Sequence, residues 1–187
     1  MKEKYDPISK MFHWLVFLLV AIEFLVAAAM PEMRGETDVS TLTDLHFSFG
    51  LLIIGVIMLR GMWAIIHLRP FVTSKSDVSI HTEPLANAMH YALYISLIAM
   101  PILGWAWASS RALAVSFFGL YSFSPLIIPG ISAPQLGAMH SLLGVIIVLL
   151  VLVHVFAALY HHYVTHDETL IRMLPVRLAE KMKIEQK

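Results

Sequence analysis

The segment LGAMHSLLGVIIVLLVLVHVFAALY, residues 136–160, is long and apolar, yet it carries two histidines, His140 and His154. Fourteen residues separate them. At 100° per residue that spacing returns to nearly the same helical face, and at 1.5 Å per residue it sets the imidazoles about 21 Å apart along the axis. An ionisable side chain at membrane depth is costly and rarely faces lipid, so it marks a functional site unless a partner explains it. Two imidazoles on one face, near opposite leaflets, have the placement of attachment points for two stacked cofactors.

The composition suits such a placement. The chain has 187 residues, is 58% hydrophobic and has a mean hydropathy of +0.75. These values describe an integral membrane protein, with lipid among its partners. A formal net charge of zero argues against a nucleic-acid partner. There is no cysteine, which excludes disulfides, iron–sulfur clusters, thiolate zinc sites and covalent c-type haem attachment. Ten histidines remain as the plentiful transition-metal ligands.

Four windows reach the roughly 20 apolar residues needed to cross a hydrocarbon core. They cover about 11–30, 45–66, 85–108 and 136–163, leaving 164–187 as a polar, charge-mixed tail of a single transmembrane domain, 1–187. Pro31 with Gly35, Pro70, Pro84, and Pro125 to Pro134 punctuate the connections. Of thirteen Lys and Arg residues, only Arg34 and Arg111 fall on one side of this arrangement. The positive-inside rule then puts both termini in the cytoplasm and the loops 31–44 and 109–135 outside. Ala27 to Ala29 offers a signal-peptidase site, but the apolar run is long for a signal peptide and His13 and Trp14 sit at its start. The first window therefore reads as a retained span.

Orientation makes the depth of each histidine predictable. His46 and His140 open their spans at the outer side, whereas His13, His90 and His154 lie at the inner side. Two imidazoles on different helices, at equal depth and facing a common core, can clamp a flat macrocycle, as helical bundles do. The outer layer offers one pair, His46 with His140. The inner layer offers three candidates, and depth alone does not choose between His13 and His90 as partner of His154. Gly50, Gly55, Gly104, Gly137 and Gly144 give a macrocycle room, although small residues also serve plain helix packing in membranes. Arg60, fourteen residues after His46, is positioned to pair with a propionate or to snorkel to the headgroups. Glu23, mid-span in the first helix, needs a partner that the sequence does not identify.

At this point the chain resembles the bacterial cytochrome b561 family of four-helix, di-haem membrane cytochromes. The resemblance is carried by His13-Trp14-Leu15-Val16, His46, Arg60, and His90 followed by Ala99-Met100-Pro101-Ile102-Leu103-Gly104. It continues through His140, His154, His161-His162-Tyr163 and the run from Asp167 to Pro175. It covers nearly the whole chain, and the C-terminal stretch points to the branch that includes superoxide oxidase.

The resemblance implies an all-α four-transmembrane-helix bundle in the bacterial inner membrane, binding two haem b groups. It implies His46 and His140 as axial ligands of an outer haem and His13 with His154 as ligands of an inner one. Arg60 is then a propionate partner, and His161 and His90 are quinone-site candidates, His90 alternatively lying against haem. His162 is expected simply at the interface, and His67, His81 and His166 receive no role. Bis-histidine haem has no open coordination position, so it transfers electrons and does not activate a substrate at iron. The implied reaction oxidises superoxide outside and reduces ubiquinone near His161.

Two other readings compete. One is an electron-transfer subunit that passes electrons between the quinone pool and a periplasmic redox partner, without superoxide activity. The other is a histidine-lined transporter for protons or a divalent metal, since imidazole also binds zinc and copper; its weakness is that transporter sites gather near the midplane. The outer loops also weigh against an anionic substrate. They carry Glu32, Glu36, Asp38 and Asp44 against Arg34 and Arg111. The apolar 109–135 loop, with Phe117, Phe118, Tyr121 and Phe123, is suited to cover the outer mouth or to dock a donor protein.

Overall fold

The computed structural model describes residues 6–30, 40–67, 83–175 and 178–179. Four long helices, α1 (Pro7–Ala29), α2 (Thr41–Ile66), α3 (Glu83–Ser110) and α4 (Ala133–Tyr163), carry the fold. Each is long and apolar enough to cross a membrane. A two-residue strand pair, β1 (Ser116–Phe117) and β2 (Tyr121–Ser122), lies between α3 and α4, and a short α5 (Thr169–Met173) follows α4.

Helix starts are set by local chemistry. Pro7 opens α1 in the first turn, where its missing N–H costs nothing. Ser40 accepts a hydrogen bond from the Thr43 amide at 3.2 Å and caps α2. At α4 the Gln135 carboxamide oxygen accepts from the Ser132 amide, 2.9 Å, with Pro134 in the first turn. These signals start α1 and α4 before the apolar windows do. Pro84 and Pro134 belong to helix starts, not to connections, because a first-turn N–H has no intrahelical acceptor.

The helices pack in chain order, α1 on α2, α2 on α3 and α3 on α4, while α1 and α4 stand apart. Val16 and Leu19 of α1, Ile53, Val56 and Ile57 of α2, and Tyr94 of α3 form the main buried cluster. A second cluster, Ala108, Leu113 and Val115, sits at the end of the bundle that carries the strands. That end is called the loop end below, and the opposite one the terminal end. Leu142, Leu149, Leu152, Val153 and Phe156 of α4 point outward, where a bilayer can solvate them.

The loop end is organised by one buried hydroxyl. Ser48 Oγ donates to the Asp44 carbonyl, 2.7 Å, and accepts from the Phe118 amide, 2.7 Å. Phe118 and Gly119 both have positive φ, and the Leu120 amide donates to the Phe117 carbonyl at 3.0 Å. Two central residues in the left-handed region form the turn that matches strand twist. Ser116 also donates to the Asp44 carboxylate. The 109–124 region therefore packs over the ends of α2 and α3, with the Phe118 ring 5.8 Å from Phe49 and Phe123 5.4 Å from Trp105.

At the terminal end the chain after α4 folds back. Trp14 Nε1 donates to the Met173 carbonyl at 2.8 Å, and Lys10 Nζ to the Leu174 carbonyl at 3.2 Å. These two bonds fasten the end of α5 to α1, and Ile171 is buried beneath. The tail thus bridges the gap between α1 and α4.

Replacing Ser48 with Ala is expected to strand the Phe118 amide and cost about 1–3 kcal/mol, the penalty for an unmet buried hydrogen bond. Thermal unfolding in detergent measures the loss. Limited proteolysis should show the 113–124 segment opening first.

Candidate functional site

The long helices place their histidines in two groups. At the loop end, the His46 and His140 ring centres lie 6.1 Å apart, with planes inclined at 83°. Both border a cavity of about 410 Å³ to which all four long helices contribute. That volume falls within the range of small-molecule sites. At the terminal end, His154 lies 6.1 Å from His13 and 5.2 Å from His90, centre to centre. The three inner candidates therefore do converge on one region.

Small residues give the loop-end imidazole its seat. A Cβ at Gly104 would stand 2.9 Å from His140 Cε1, so only glycine admits the ring there. His140 Nδ1 lies 3.2 Å from the Met100 carbonyl. A carbonyl can only accept, so Nδ1 carries the proton and Nε2 keeps its lone pair. Met100 precedes Pro101, which supplies no N–H to the α3 ladder. Gly137 admits the Trp107 indole, since a Cβ would meet it at 2.8 Å. Gly144 and Gly50 border the cavity. Gly55 does not belong with them: it is exposed and its added Cβ would meet nothing, so the expectation that it makes cofactor room is corrected.

Sequence reasoning left Glu23 without a partner and did not single out Trp107, and both line the cavity. Glu23 lies with its Oε1 3.0 Å from His46 Nδ1. The signal was available, because Glu23 is six residues before the end of α1 and His46 five after the start of α2, hence at similar depth in antiparallel helices. Trp107 lies 5.8 Å from His140, ring to ring, and the Arg111 guanidinium stands 5.8 Å over Trp107. Arg111 itself lines the cavity. Arg34, Glu32, Glu36 and Asp38 lie outside the described residues, as does His81.

Arg60 stands at the terminal-end group. Its guanidinium sits 5.1 Å over the ring of Tyr94, one turn along α3 from His90. His90 Nδ1 donates to the Ala86 carbonyl at 2.6 Å. Among the described residues, no group of three or more His, Cys, Asp or Glu could hold a bare metal ion.

His161 closes α4 and meets Asp167, Nδ1 to Oδ2, at 2.5 Å. Thr165 Oγ1 donates to the same carboxylate oxygen at 3.1 Å, and the Thr169 amide donates to Oδ1 at 2.8 Å. Burial alone would raise the Asp167 pKa, but hydrogen bonds from Thr169, His161 and Thr165 together hold it below the ordinary carboxylate value. His162, expected at the interface, is instead buried, with 3% of its surface exposed. Its ring lies 4.7 Å from Tyr163. His67 stacks 3.7 Å from Trp63 at the end of α2, and His166 is exposed at positive φ.

Comparison with known proteins follows the same lines. A family model described as prokaryotic cytochrome b561 matches residues 4–176. Cytochrome b561 homolog 2 of Escherichia coli (strain K12) is 32% identical over 174 residues, 92% of each chain. A probable superoxide oxidase, CybB, of Yersinia pestis is 33% identical over 184 residues, 94% of this chain and 98% of that one. Cytochrome b561 homolog 1 of E. coli is 32% identical over 178 residues, 88% and 93% of the two chains.

The Asp167 network has a pH consequence. A depressed carboxylate pKa stabilises the fold fully above the unfolded value, about 3.9, and the gain disappears as pH falls through the lower folded value. The protection of residues 164–174 against hydrogen exchange, taken relative to the intrinsic amide rate at each pH, should therefore fall on acidification below about pH 4. In Asp167→Asn this acid dependence should largely vanish.

Proposed function

The chain belongs to the prokaryotic cytochrome b561 family, and from that premise we propose that it is a di-haem b cytochrome that oxidises superoxide and reduces ubiquinone. Family membership makes it an electron-transfer membrane protein, and the family binds haem b. The proposal adds the number of haems, their ligands and the two substrates.

The observation that carries it is a separation. Two metal–nitrogen bonds of about 2 Å each, with half a ring at either end, call for imidazole centres about 6 Å apart across a flat macrocycle. His46 with His140 and His13 with His154 both stand at 6.1 Å. The residues present therefore fit two such groups, one at each end of the bundle. His90, at 5.2 Å from His154, stands closer than that clamp calls for, which favours His13 as the second inner ligand. His90 would then stand beside an inner haem without ligating it. Haem b supplies one-electron chemistry when held from both sides, with no position open to oxygen.

The chain's own residues supply the rest. Arg60 offers a guanidinium for carboxylates at the terminal end. Arg111, in the cavity wall, puts a local positive charge there despite the acidic balance of the outer loops and is suited to draw an anion toward His140 and Trp107. Each superoxide loses one electron and leaves as dioxygen. Ubiquinone takes up two electrons and two protons to become quinol. His161, oriented by Asp167, is the proton donor we assign to that half-reaction. The distribution of basic residues is the basis for assigning both termini to the cytoplasm, and the family for assigning the protein to the bacterial inner membrane.

The hairpin region leaves Leu120 and Ile127 exposed, by 85% and 75%. This favours, as the second reading, an electron-transfer subunit that docks a periplasmic redox partner there. Stopped-flow mixing of the oxidised protein with superoxide separates the two. Fast haem reduction is expected, and its absence would leave the second reading standing.

Two variants check the site. A pyridine haemochrome assay should count about two haems per chain, and His154→Ala should keep only the outer one; two haems retained would contradict the ligand assignment. His161→Ala should keep both haems and slow quinone reduction on the order of 10²-fold, as loss of a general acid does. Unchanged quinone kinetics would move the pocket elsewhere.

A further inference from the structure

His46 and His140 face each other across the cavity, but they are held by different groups. His140 rests on a backbone carbonyl, that of Met100. His46 rests on a carboxyl group from a different helix, Glu23 of α1, 3.0 Å from Nδ1. The two contacting residues are half-buried, and Glu23 lies on the α2 face that His46 and Gly50 share, its Oε1 3.5 Å from where a Gly50 Cβ would stand.

Among the described residues, neither partner is otherwise satisfied. His46 Nδ1 and Glu23 Oε2 are buried atoms with no aligned hydrogen bond, so the close contact between the two side chains is not yet a well-directed bond. Both also line the cavity. A buried polar atom left unmet is costly in an apolar bundle. Nδ1 and Oε1 already stand at hydrogen-bond distance, 3.0 Å, so alignment is all that the bond requires.

We propose that Glu23 is a positioning residue for His46, accepting its Nδ1–H so that Nε2 faces the cavity and gains basicity as a ligand. This rests on the haem reading above. Carboxyl groups behind metal-bound imidazoles fix the tautomer and ring orientation and raise the electron density of the ligating nitrogen. A more basic nitrogen stabilises the oxidised iron. An outer haem held here would therefore have a lower potential than a backbone-supported ligand pair would give, and Glu23, half-buried in the cavity wall, would set that difference.

The test is a redox titration of the purified holoprotein beside Glu23→Gln and Glu23→Leu, the outer haem being identified by its loss in His140→Ala. Glutamine keeps the shape but is a weaker acceptor. It should keep both haems and shift the outer reduction equilibrium about tenfold toward the reduced form, about +59 mV for one electron. The inner haem should not move. Leucine should shift the outer haem further or release it while the inner one remains. An unchanged outer potential in both variants, with both haems bound, overturns the proposal.

A second measurement does not depend on the variants folding. In wild-type protein depleted of haem and labelled with ¹⁵N-histidine, His46 should carry its proton on Nδ1. A proton on Nε2 overturns the assignment. If the wild-type protein bound no haem, the reading of the site would fail, while the tautomer would still report on Glu23.

Discussion

Imidazoles inside a lipid-facing bundle cannot be left to water, and this constraint organises the molecule. Each long helix carries at least one histidine, and in each group those side chains turn toward one another and not outward. Hydrogen-bond acceptors are then recruited from whatever the helices can spare: the Met100 carbonyl beside Pro101, the Ala86 carbonyl one turn back, and the Glu23 carboxyl. The main apolar cluster joins α1, α2 and α3, and Leu136 and Ile147 of α4 are buried as well. The α1 and α4 backbones do not pack together, and the histidine groups lie between α4 and the other three long helices.

Holding such a gap open requires fastenings at both ends. At the loop end, Ser48 and Asp44 of α2 bind the strand pair through Phe118 and Ser116. At the terminal end, Trp14 and Lys10 of α1 grip the carbonyls that end α5. Hydrogen bonds of this kind, between groups distant in sequence, keep the helices at a set spacing without filling the space between them. The same terminal fastening brings Asp167 to His161, so the segment that bridges α1 and α4 also orients the side chain assigned to proton transfer.

The fold class and the layering of the candidate site were legible because the rise of a helix is constant. Four apolar windows gave four helices, and counting residues from each helix end put His46 level with His140 and His13 and His90 level with His154. Residues that depend on lateral position were not legible. Gly55 shares α2 with Gly50 yet faces outward, and His162 neighbours His161 yet is buried. Depth says nothing about which way around the axis a side chain meets its neighbours.

By itself, then, the order of residues determined what lies at which height: apolar length, helix direction and the level of every histidine follow from local repeats. Only the tertiary structure decided which side chains meet at a given height. Glu23 finds His46, and Trp14 finds a carbonyl 159 residues away. Such contacts depend on the rotation and spacing of whole helices, which packing between all of them sets together and no local stretch encodes.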